Sequence, residues 1–186
     1  MSRKKKGINT VREQIYWAYA NLAMAHSAVS KGQKKYGMIN FMIRSKLFKG
    51  LTDGTMNIRT ILDDERIKLD LGRCCNYCGA TANLSIDHIL PQILGGPESA
   101  DNFVYACQSC NSSKGKKDLI EWMIFRDQFL SLMLIRRYLK LVYNYCDSHD
   151  LMDKNLVELE NRKLPFRIDL LPIDYPQPTE LRLVYV

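Results

Sequence analysis

No apolar run in this 186-residue sequence is long enough to cross a bilayer. The longest stretches, such as LSLMLI at 130–135, fall far short of the ~18 residues that a spanning helix needs, so no membrane partner is expected. The basic start MSRKKKGINTVREQ is followed by an amphipathic stretch without a clean apolar segment, and does not read as a signal peptide. The expected location is therefore the cytoplasm, in a bacterium or as a phage-encoded product. Internal repeats are lacking too, as is any low-complexity segment beyond the lysine-rich start. Histidine is scarce, at three residues, and His26 and His149 have no evident partners in the sequence.

What the chain does have is positive charge and cysteine. Twenty-seven Lys and Arg against twenty Asp and Glu give a net charge of +7, which favours a polyanionic partner, although such a charge supports solubility as well. With 46% hydrophobic residues the chain can bury a core and is expected to fold. Six cysteines in a reducing compartment point to metal or catalytic roles and away from disulfides.

The periodicity divides the chain into three regions. Residues 1–70 read as a basic helical arm suited to DNA recognition or dimerisation, with helices over 10–31 and roughly 36–49, then a short third element, NIRTILDDERIKLDLG, at 57–72. Residues 71–120 change to short segments rich in Gly, Asn and Pro, with LSIDHIL and NFVYAC as strands and NSSKGKKDLIEWMIF turning from a polar turn into a helix. Residues 121–186 continue one or two helices, apolar almost all round, to about Cys146, and end in a proline-bearing tail expected to wrap over the core in extended form. Trp17 and Trp122 are read as core residues, as is Cys146.

Cys75 and Cys78 form one C-x-x-C pair, Cys107 and Cys110 another. Two such pairs wrap four thiolates round one tetrahedral Zn²⁺ and leave no open position, so the site is expected to be structural. Gly79 follows the first pair where a knuckle turn calls for positive φ, and Asn111 holds the equivalent place after the second. Cys74 stands as the alternative to Cys75. Between the pairs lie Asp87, His88 and Asn102, Gly95 and Gly96 supply a tight loop, and Lys114, Lys116 and Lys117 follow with no acidic residue before Asp118.

Taken in order, CNYC, SIDHILPQILGG and DNFVYACQSCNSSKGKKD resemble the HNH nucleases. The resemblance implies an α+β fold: a ββα-metal core with a four-cysteine structural zinc, embedded in a mostly helical protein. It implies His88 as the general base, a role suited to imidazole near neutral pH. Asp87 and Asn111 are implied as ligands of the catalytic cation, and Asn102 as the amide that ties the loop and orients the histidine. Asp and Asn offer only hard oxygen ligands, which favours Mg²⁺, with Mn²⁺ able to substitute. The three lysines suit phosphates flanking the scissile one.

The expected activity is metal-dependent hydrolysis of phosphodiester bonds in double-stranded DNA, in the setting of a sequence-specific type II restriction enzyme. One active site per chain then implies a homodimer. A homing or phage nicking endonuclease is the alternative enzymatic reading. A non-catalytic zinc module that binds nucleic acid is the competitor from another class, and it would not require Asp87, His88, Asn102 and Asn111 together.

Overall fold

The computed structural model describes residues 7–58, 73–160 and 162–185. Most of the third element expected at 57–72 lies outside them. Helix α1, Val11–Ser30, begins with a complete capping box: the Thr10 hydroxyl accepts from the Glu13 N–H while the Glu13 carboxylate accepts from the Thr10 N–H. Its Val11, Ile15, Ala18, Ala20, Leu22, Ala25 and Ala28 are all buried, so α1 is covered on several sides and not along one stripe. Helix α2, Met38–Thr52, packs on α1, with Trp17 meeting Phe48 edge to face at 5.2 Å. Neither boundary departs far from the expected 10–31 and 36–49.

Two antiparallel strands, β1 Leu84–His88 and β2 Phe103–Cys107, pair with Leu84 opposite Cys107 and His88 opposite Phe103. The polar sequence after them does not make one continuous helix. Helix α3, Gln108–Lys114, stops at Gly115, whose φ of +51° takes the chain out of helical geometry. A new helix, α4, Leu119–Phe125, then starts under the Asp118 carboxylate, which accepts from the N–H groups of Ile120 and Glu121. Burial raises the Asp118 carboxyl above its ordinary value, against the hydrogen bonds it accepts, Tyr138 foremost.

Helix α5, Leu132–Ser148, lies against α1. The first free N–H groups of α5 are satisfied by the tail: Leu132 donates to the Arg182 carbonyl at 2.9 Å and Met133 to that of Leu183 at 3.1 Å. The tail itself makes only short 3₁₀ turns, at Ile168–Leu170 and Pro178–Glu180, yet it buries Phe166, Ile168, Leu171, Leu181 and Tyr185. One apolar cluster runs from α1 through α5 to Tyr77, Ile89, Leu90, Val104 and Ala106 around the hairpin. The hairpin is thus mounted on the helical core and shares its interior. Among the described residues no helix is long and apolar enough to cross a membrane.

Candidate active site and metal centre

Cys75, Cys78, Cys107 and Cys110 bring their sulfurs within 4.8 Å of one another, and the Cys78 and Cys107 sulfurs are 3.7 Å apart. Four thiolates about 2.3 Å from a central Zn²⁺ would stand ~3.8 Å apart along each tetrahedral edge, so the cluster fits the ion. The first knuckle closes through the Gly79 N–H on the Cys75 carbonyl at 2.8 Å, with Gly79 at φ +84°. The second differs: Asn111 is helical, and the knuckle runs straight into α3. A backbone hydrogen bond from Cys110, the largest of several influences, holds the Cys107 thiol down at about 7. Arg126 donates to the Cys110 sulfur at 3.4 Å while stacking over Trp122. Cys74 is turned away, its thiol donating to the Tyr185 carbonyl at 3.2 Å, which leaves Cys75 as the knuckle residue.

The alternation of β1 sends Ser85 and Asp87 to one side and Ile86 and His88 to the other. Helix α3 covers the first side. There the Asn111 amide donates to the Ser85 hydroxyl at 3.0 Å, two residues along the strand from Asp87. Asp87 is buried, and its carboxylate accepts from the Tyr77 hydroxyl at 2.7 Å and from the His88 N–H at 2.8 Å. Burial, then the Asp87 charge, pushes the Tyr77 phenol well above its ordinary range, so Tyr77 serves Asp87 as a neutral donor. The His88 ring lies on the other side, edge to face with its strand partner Phe103 at 5.1 Å, and its Nε2 is 2.9 Å from the Glu98 carboxylate.

Lys114 does not join an exposed lysine patch. It is wholly buried, with its Nζ 2.7 Å from the His88 carbonyl oxygen and 3.2 Å from the Asp87 carboxylate. Desolvation lowers the ammonium's pKa, and Asp87 opposes that shift. As the last residue of α3, Lys114 points back beneath the hairpin and away from solvent, where a carboxylate needs a counter-charge. Lys116 and Lys117 are exposed, and the Lys117 ammonium donates to the Ser113 carbonyl at 3.0 Å.

Asn102 is fully buried and joins both ends of the loop after β1. Its oxygen accepts from the Leu90 N–H at 2.7 Å, and its amide donates to the carbonyls of Leu90 and Pro97, both at 2.9 Å. Gly96 lies so close to this loop that a Cβ would stand 2.2 Å from the Leu90 carbonyl oxygen. From the far side Arg137, on α5, donates to the carbonyls of Asp101 at 2.9 Å and Phe103 at 2.6 Å. Replacing Asn102 with alanine strands two buried backbone groups and one part-buried group, for an expected loss of about 3 kcal/mol in chemical denaturation. A loss below ~1 kcal/mol would mean that the loop is held by other contacts.

Tyr77, Glu98, Arg126 and Arg137 escape the sequence reading. Arg137 alone carried a signal, as one of three cations, with Arg136 and Lys140, in a largely apolar helix. The others meet partners across the fold that no local spacing indicates.

Residues 75–119 match the family model described as HNH endonuclease. Searches of curated proteins and of solved structures returned no significant match. The matched segment spans both cysteine pairs, the hairpin, α3 and the Asp118 cap, with Asp87, His88, Asn102 and Asn111 all inside it. The match thus falls on an HNH-type segment, residues 75–119, mounted on a helical core.

Proposed function

We propose that this protein is a metal-dependent DNA endonuclease, acting as a homodimer on double-stranded DNA in the manner of a type II restriction enzyme. The observation that supports the reading is the match of residues 75–119 to the HNH endonuclease model, with Asp87 on the side of β1 where Asn111 meets Ser85 and His88 next in the chain. A donor set of one carboxylate and one amide oxygen fits a hard cation that keeps most of its shell for water and phosphate, as Mg²⁺ does. When bound there, Mg²⁺ or Mn²⁺ would neutralise charge building up on the phosphate oxygens. His88 takes the proton from the attacking water, while Asn102 holds the loop that frames it. Lys116 and Lys117 contact flanking phosphates. The helical regions outside 75–119 supply base recognition, and pairing two chains cuts both strands of a palindrome.

The test is plasmid cleavage by purified protein with Mg²⁺, repeated with EDTA and with His88→Ala. The wild type is expected to cut. EDTA should abolish cutting, and His88→Ala should slow it by roughly 10²- to 10⁴-fold with an unchanged melting temperature. A wild type that binds plasmid yet leaves it intact with every divalent cation would instead be a zinc-containing binding module. Sequenced fragment ends separate the biological settings: paired cuts at one short palindrome support restriction, whereas single-strand cuts at rare long sites support a nicking or homing enzyme.

A further inference from the structure

We infer that Glu98 is a positioning residue for His88, braced by Gln92, and that it leaves Nδ1 as the basic atom of the imidazole. The inference rests on the endonuclease reading. Its geometry is independent of that reading. His88 Nε2 stands 2.9 Å from Glu98 Oε2, and the Gln92 amide donates to the same oxygen. A carboxylate oxygen only accepts, so the neutral ring must carry its hydrogen on Nε2, and the free lone pair then belongs to Nδ1.

Rotation of the ring is limited at the same time by Phe103, which meets it edge to face at an interplanar angle of 86°. Glu98 and Gln92 both belong to the loop fixed by Asn102, whose amide grips Leu90 and Pro97 on either side of Gln92. The loop therefore does more than turn the chain between strands: it presents a carboxylate to the histidine from a fixed distance. Glu98 is itself 60% exposed on its side chain, so its action is one of direction and tautomer, with little electrostatic strength. Partners of this kind, holding a working imidazole by its second nitrogen, typically matter about ten- to a hundredfold.

Two readouts test this on the full-length protein. The chain has three histidines, so ¹⁵N-histidine labelling gives a spectrum in which His88 is assigned by its disappearance in His88→Ala. The wild type should show a low-field Hε2 proton on His88 that exchanges slowly with solvent. Glu98→Ala should lose that proton, and its kcat on plasmid with Mg²⁺ should fall about 10- to 100-fold at unchanged KM. Glu98→Gln, whose amide oxygen still accepts, should recover most of both. An unprotected Hε2 in the wild type, or a Glu98→Ala variant with wild-type kcat, overturns the assignment. Should the protein cut no DNA at all, the endonuclease reading falls, and the Hε2 proton still decides the His88–Glu98 pair.

Discussion

Replacing Cys107 with serine is expected to release zinc and to cost the protein its melting transition near the wild-type temperature. Structural zinc sites of this type carry apparent binding free energies of ~10 kcal/mol or more at neutral pH, well above the ~0.5–3 kcal/mol of an ordinary substitution. Cys107 also ends β2 and caps α3, so its sulfur sits where strand, helix and knuckle meet. Loss of the ion would free the start of the helix that carries Asn111 and Lys114. Metal analysis by plasma emission, together with a thermal melt with and without chelator, checks the result. Retained stoichiometric zinc and an unchanged melt would show that the four sulfurs are not the ligand set.

The second large effect concerns Lys114. Lys114→Met keeps much of the side chain's volume but leaves the Asp87 carboxylate buried without its cation, and breaking a buried pair from one side costs about 3–5 kcal/mol. The double variant Lys114→Met with Asp87→Asn removes the stranded charge, so it is expected to be more stable than the single one. Urea denaturation of the four proteins in the cycle measures the coupling. A double variant no more stable than Lys114→Met alone would show that the ammonium holds the His88 carbonyl and matters little to Asp87.

These two residues also mark where the sequence was readable and where it was not. Cysteine spacing located the four-sulfur cluster because a knuckle is a local object, its first pair completed at the next residue by a glycine at positive φ. The strands fell near their expected places, since alternation of Ser85 and Asp87 with Ile86 and His88 is local as well. Lys114 was different: read by its neighbours it belonged to a polar, lysine-rich helix start, and only the packing of α3 on the hairpin puts it beneath Asp87, 27 residues away. The stretch expected to begin as a polar turn is likewise helical up to Gly115, and the break there lets Trp122 donate back to Ser113 at 3.0 Å while meeting Tyr77. Glu98 offered no pattern at all, because its partnership depends on the shape of a loop.

The hydrogen bonds that bind the tail to α5, and the Tyr185 carbonyl that accepts from Cys74, bear on how the chain is made. On the ribosome the cysteine pairs emerge well before Arg137 and Tyr185, so a nascent HNH segment can gather its sulfurs but must wait for later residues to close its loop and cover its edge. The portion that is portable as a sequence motif thus leans, as a folded unit, on contacts from outside it. Grafted into another protein as residues 75–119 alone, it would need a substitute for α5 and the tail before its histidine was held in place.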